Sequence, residues 1–142
     1  MLTYSLSKAF HINGGAVSGN KILIDELRQM PIYAASTAPS PGLLYAWLHG
    51  QHLYTLQREK LKKNIALFRM AAKELPLLSH EELPVFVLQQ HADEKILDEK
   101  NIIISSFAYP NPQGKKVQRV VVNAQHEEDD LIYLADCLKE IF

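Results

Sequence analysis

Ser5-Leu6-Ser7-Lys8-Ala9-Phe10-His11-Ile12-Asn13-Gly14-Gly15 sets one lysine between small hydroxyl residues and ahead of a glycine pair. A lysine amine becomes a nucleophile only after losing its proton, and burial or a neighbouring cationic group lowers its pKa enough for that. The setting suits a lysine held as a Schiff base to pyridoxal phosphate, with the phosphate gripped nearby. Lys8 would then serve twice, as the cofactor anchor and as the acid/base at a substrate Cα. Gly14 and Gly15 suit positive φ or a close approach of backbone to cofactor, and a plain loop would use them equally well.

Arg119 is the second residue of interest. Within Val117-Gln118-Arg119-Val120-Val121-Val122-Asn123, strand alternation puts it on one face with Val117, Val121 and Asn123, where an arginine needs a partner. Its planar fork can hold a carboxylate with two hydrogen bonds, which would orient an amino-acid substrate. The competing readings are an edge arginine reaching to water, or a salt bridge to the acidic residues that follow. Ser5 and Ser7, two apart on an expected strand, point the same way, and serines near a turn also satisfy local backbone groups. His11 is close enough to Lys8 in sequence to touch a cofactor or thioester. The remaining histidines show no ligand spacing, and no metal is expected.

The elements that must position these residues follow from apolar spacing. Leu2 to Ser7 and Ala16 to Gly19 read as short strands, joined by a loop that holds Lys8 and the glycines. Asn20 offers an N-cap for a helix to about Gln29, with Ile22, Leu23 and Leu27 on its apolar side. Met30 to Gly42, with three prolines, reads as an ordered loop. Ser40-Pro41 then opens one long helix from about Gly42 to Leu75, on which Leu61, Ile65, Phe68, Ala72 and Leu75 share a face. Beyond it the pattern predicts a strand Val85 to Leu88, a helix Ala92 to Lys100, a strand Ile102 to Phe107, a turn over 110–114, and a strand Lys116 to Asn123. A last helix follows, with Glu127 to Asp130 in its first turn, where the helix dipole favours carboxylates. Its buried stripe is Leu131, Leu134, Ala135, Leu138 and Ile141. This order, strand-helix-strand-strand-helix, indicates a small α+β layer with helices on one face of a sheet.

Ser5-Leu6-Ser7-Lys8-Ala9-Phe10, followed by Gly14-Gly15 and Ser18-Gly19, resembles the lysine segment of the α-oxoamine synthases, fold-type I pyridoxal-phosphate enzymes that condense an amino acid with an acyl-CoA. Ser5 stands where threonine is commoner and His11 where a small residue is usual. The resemblance runs from about Tyr4 to Phe142. It implies pyridoxal 5'-phosphate as cofactor, bound covalently by Lys8, with Ser5 and Ser7 near the phosphate. Tyr33-Ala34-Ala35-Ser36-Thr37-Ala38-Pro39 is similar to the family's loop that crosses a dimer interface, which implies that Ser36 and above all Thr37 reach the partner's cofactor phosphate; a simple capping or turn role would use these hydroxyls equally well. Arg119 precedes Ala124-Gln125-His126, an echo of the family's Ala-x-His segment, and by that resemblance it holds the substrate carboxylate, with His11 near the substrates. The implied reaction is a decarboxylating condensation of an amino acid, alanine being preferred, with an acyl-CoA to give an amino ketone.

The expected fold is α/β: the end of a fold-type I large domain (1–41), a long interdomain helix (42–76), and a small α+β carboxy-terminal domain (77–142). Only seven residues precede Lys8, so the chain reads as the carboxy-terminal portion of a larger homodimeric enzyme. The residues that pair with the pyridine nitrogen and stack on its ring lie upstream in the family, so the isolated chain is expected to be inactive. Net charge is -1 from 15 basic and 16 acidic residues, which leaves no nucleic-acid footprint. No apolar run approaches the roughly 20 residues that span a bilayer, and no signal-peptide pattern opens the chain. One cysteine, Cys137, suits a reducing cytoplasm. Two other readings stand beside this one: an aminotransferase of the same fold, taking a keto acid in place of an acyl-CoA, and a non-catalytic folded domain.

Overall fold

Two antiparallel strands open the chain in a computed structural model that describes residues 1–142. β1 (Leu2–Ser5) pairs with β2 (Gly15–Ser18), with Leu2 opposite Ser18 and Ser5 opposite Gly15. The strand expected to reach Ser7 stops two residues early, and the expected loop around Lys8 winds into one helical turn, α1 (Leu6–Ala9). Backbone pairing explains the change. Leu6 N–H donates to Gly14 O and Ile12 N–H to Leu6 O, both at 3.1 Å, which closes the connection on itself and buries the Leu6 and Ile12 side chains.

Asn20 caps α2 (Lys21–Gln29), its Oδ1 accepting from Ile22 N–H at 2.9 Å. Leu27 is half-buried as expected, but Ile22 and Leu23 are exposed and Ile24 takes the inward place. The loop expected from Met30 contains a further turn, α3 (Pro31–Ala34), started by a proline whose missing N–H costs nothing at the first helical position. Ser40 and Pro41 open α4 (Pro41–His49) at the expected place.

The single helix expected to Leu75 is two: α4 and α5 (Gln51–Ala71). Gly50 separates them. A Cβ there would stand 2.8 Å from the Ala46 carbonyl oxygen, and the Leu53 N–H folds back to Gly50 O, three residues away. The helix ends before Leu75 because Pro76 disfavours helical backbone at the residue preceding it, and Leu75 N–H turns to Ala72 O.

Backbone contacts divide the chain into two compact units, Met1–Thr55 and Leu56–Phe142, with α5 running through the division. The second unit carries β3 (Leu77–Ser79), β4 (Val85–Leu88), α6 (Glu94–Glu99), β5 (Ser105–Ala108), β6 (Lys116–Val121) and α7 (Glu128–Ile141). Its sheet has the order β3-β4-β6-β5, antiparallel throughout. The expected strand-helix-strand-strand-helix order is there, preceded by one more strand. Three residues are too few to announce β3 in the sequence; pairing of Leu77 with Leu88 and Ser79 with Phe86 makes it a strand. β5 starts later than expected because Ile102 N–H is used to close α6 on Leu97 O. α6 in turn starts at Glu94, capped by Asp93, because Ala92 is held by another side chain. β6 stops at Val121, and Val122 N–H pairs with Pro84 O outside the ladder.

The expected stripes of α5 and α7 meet the inner sheet face. Ile65, Phe68, Ala72 and Leu75 join Leu131, Ala135 and Leu138 over Phe86, Leu88, Val120 and Val122. Phe68 meets Phe86 edge-to-face, ring centroids 4.8 Å apart. No helix is long and apolar enough to cross a membrane.

Candidate functional site

Lys8 is the third residue of α1. The turn that takes Leu6 into the interior leaves Lys8 exposed, and its ammonium makes no hydrogen bond or ion pair within the chain. The burial expected around this lysine is therefore not supplied by these 142 residues. Ser5 and Ser7 do come together, Oγ to Oγ at 3.0 Å, though across the junction of β1 and α1 and not along one strand. Aromatic packing fixes the far side of the turn. The Tyr54 hydroxyl donates to Phe10 O at 3.1 Å, and the Phe10 ring meets Trp47 and Tyr54 edge-on at 5.4 and 5.3 Å. His11 is exposed at φ 57°, a left-handed backbone that side chains avoid, histidine less than most. That strain is a physical reason for a small residue to suit this position.

Gly14 has φ 123°, and a Cβ on it would lie 2.6 Å from Pro39 Cγ. Glycine thus lets the hairpin close on the segment that carries Ser36 and Thr37. A cavity of about 870 Å3 forms there, walled by Tyr4, Gly14, Gly15, Arg28, Ser36 and Thr37 among others. Ser5, Ser7, Lys8 and His11 are not in its walls. The first unit therefore joins Ser36 and Thr37 to the glycine pair but not to the lysine. The Ser36 hydroxyl donates to Ile32 O at 2.6 Å, which is a local turn role.

Arg119 lies on β6, half-buried on the sheet face away from the core. Val87 and Ser105 stand directly opposite it on the flanking strands. No carboxylate reaches it, so the acidic first turn of α7 is not its partner; Glu127 pairs with Lys60 instead. Arg119 Nε is closed off from solvent with no acceptor. Such a group is costly to leave unpaired, and the two terminal nitrogens, which are not closed off in this way, remain for a ligand carboxylate. The guanidinium carbon sits 4.8 Å from the centroid of the Phe107 ring.

Three residues that hold this strand escaped sequence reasoning. Gln118 is buried and clamps Ala92 from both sides, donating Nε2–H to its carbonyl (2.9 Å) and accepting its N–H (2.8 Å). Asn64 is buried on α5 and donates to the carbonyls of Asn123 and His126 at 2.9 and 3.0 Å, which fixes the turn after β6. Phe107 is the third. The available signal was strand alternation: Gln118 falls on the core face beside Val120 and Val122, where a polar side chain must find partners. Gln118→Leu removes both bonds and strands two backbone groups of Ala92, so we expect a loss of about 3 kcal/mol, read by urea denaturation.

Glu94 Oε1 accepts from Ser106 Oγ and Lys116 Nζ, each at 2.7 Å. The Lys116 hydrogen bond, then that of Ser106, holds its carboxyl below the ordinary 4.5. A depressed folded-state pKa adds stability that is complete above the unfolded value and disappears as pH falls through the folded one. The melting-temperature gap between the chain and Glu94→Gln should therefore be flat above about pH 5 and close steadily below the ordinary value. A gap that persists in strong acid would disprove the ion-pair account.

The chain matches the family model of aminotransferase class I and II over residues 1–138. Among curated relatives, 8-amino-7-oxononanoate synthase of Petrotoga mobilis is 30% identical across 96% of this chain, and that of Saccharophagus degradans 31% across 99%. In both cases the chain spans 38% of the relative's own length. A crystal structure of 8-amino-7-oxononanoate synthase from Francisella tularensis superposes with a TM-score of 0.74 at 25% identity, over 98% of this chain and 44% of that one. The lysine turn, the α/β architecture and a family match over nearly its whole length agree: this chain belongs to the aminotransferase class I and II family and carries part of the fold of a fold-type I pyridoxal-phosphate enzyme.

Proposed function

We propose that this chain is the lysine-bearing, carboxy-terminal portion of an α-oxoamine synthase of the 8-amino-7-oxononanoate synthase type. That parent enzyme joins alanine to a pimeloyl thioester with loss of CO2, a step of biotin synthesis, as a cytoplasmic homodimer. Residues 1–41 of this chain would close a cofactor domain, 42–76 link the domains, and 77–142 form the small domain. The observation that carries the reading is the exposed, unpaired Lys8 on a turn flanked by the Ser5–Ser7 hydroxyl pair, in a chain whose curated relatives bear that name. The donor set fits the cofactor: an amine free to meet an aldehyde, and two hydroxyls beside it for a phosphate.

When bound, pyridoxal phosphate supplies an electron sink for the bond broken at the substrate Cα. This chain supplies part of what remains. Lys8 holds the cofactor and moves the Cα proton, Ser5 and Ser7 hold phosphate oxygens, and His11 stands near the reacting groups. Arg119 fixes the amino-acid carboxylate, which selects the bond presented for cleavage. Ser36 and Thr37 serve a second subunit's phosphate, a role supported by their lining a cavity whose walls do not include Lys8. The exposed Ile32, Tyr33, Leu48 and Leu53 of the first unit support a setting in which further protein covers them and excludes water.

The test is to mix the chain with pyridoxal phosphate, fix with borohydride and map the labelled peptide. Label confined to the peptide bearing Lys8 supports the reading, whereas label spread over the surface lysines removes the site from this chain. Transamination is a second reading, favoured by the name of the matching family. It predicts consumption of a keto acid and indifference to acyl thioesters when the parent-length enzyme is assayed with both.

A further inference from the structure

The outer face of the four-stranded sheet carries Val85, Val87, Val117 and Val121 around a single charge, Arg119, with Ser105 opposite it. A guanidinium here has four rotatable bonds before its fork and no protein acceptor to fix it. One contact does so: the Phe107 ring, paired through the register of β5 and β6 with Val117 and 4.8 Å from Arg119 Cζ. Phe107 is itself 38% exposed, so its position is not explained by core packing. Nε is shut away without an acceptor, while the two terminal nitrogens are not closed off in this way.

Resting on the reading of Arg119 as the carboxylate seat, we propose that Phe107 is a positioning residue for that seat. Its ring pins the guanidinium plane so that the terminal Nη pair faces outward as a two-pronged end-on receptor. Cation–π attraction supplies the hold, and it is strongest where water is kept away, as it is from Arg119 Nε here. An arginine pinned before binding loses less rotamer freedom when a carboxylate arrives. The ring therefore acts on affinity through Arg119 and touches no substrate.

The experiment uses the full 142-residue chain, with acetate as the carboxylate probe and chloride balancing the ionic strength. The Nε–Hε cross-peak of Arg119, assigned by its loss in Arg119→Lys, is followed by NMR. The unsubstituted chain should give a saturable shift. Phe107→Leu should weaken acetate binding about fivefold and speed exchange of that N–H, with the melting temperature little changed, and Phe107→Tyr should restore both. Equal affinity and equal exchange in the chain and in Phe107→Leu would overturn the positioning role while leaving Arg119 as the carboxylate seat. No saturable shift in the unsubstituted chain would remove the carboxylate seat, and the positioning role with it.

Discussion

Lys8→Ala is expected to abolish borohydride-fixed pyridoxyl label on the turn-bearing peptide while leaving the melting temperature of the chain unchanged within about a degree. The first half follows from chemistry, since only a primary amine at that position can form the covalent link and no neighbouring residue of the turn carries one. The second half follows from structure. Lys8 is exposed and makes no ion pair, and surface substitutions of that kind shift stability by no more than about 0.5 kcal/mol. Alanine is also a good helix former, so α1 keeps its geometry. Lys8→Arg separates the two possible roles of the charge: it keeps a cation beside the Ser5–Ser7 pair but cannot form the link. Residual phosphate binding without label is its expected result. Equal labelling in Lys8→Ala and the unsubstituted chain would show that the turn is not a cofactor anchor.

Phe68→Ala is expected to destabilise the second unit by about 4 kcal/mol, a large share of the roughly 5–15 kcal/mol that keeps an ordinary domain folded. Phe68 is fully buried where α5 crosses the sheet, and its edge-to-face partner Phe86 sits on β4 next to β6. Removing the ring opens a cavity against Phe86 and takes support from the strand pair that carries Arg119. Phe68→Leu, which keeps most of the volume, should cost about 1 kcal/mol. Urea denaturation of the three proteins measures the series. A cost for Phe68→Ala below 1 kcal/mol would mean that the sheet relaxes into the space, and that α5 is not its structural backing.

Apolar period made much of the second unit legible before any coordinates. The stripes Ile65-Phe68-Ala72-Leu75 and Leu131-Ala135-Leu138, and the run Val85 to Leu88, name their own elements, because burial along a helix or strand repeats at a fixed step. Caps were equally readable at Asn20 and Ser40-Pro41, where side chain or ring chemistry acts within two or three residues. Errors arose where a distant group competes for the backbone. The early end of β1 depends on Leu6 pairing with Gly14, the late start of α6 on Gln118 taking Ala92, and β3 exists only through β4.

The candidate site divides along the same line. Sequence by itself determined which residues could do chemistry: Lys8 among its hydroxyls and glycines, and Arg119 alone on an apolar strand face. Both are local signals, set by residue type and by period. The tertiary structure alone decided their surroundings: that Lys8 lies outward on a helical turn, that Gly14 closes against Pro39, and that Arg119 has no acidic partner and rests on Phe107. Partners of this kind come from chain segments whose approach is set by sheet register and core packing, and no short-range pattern in the sequence encodes that approach.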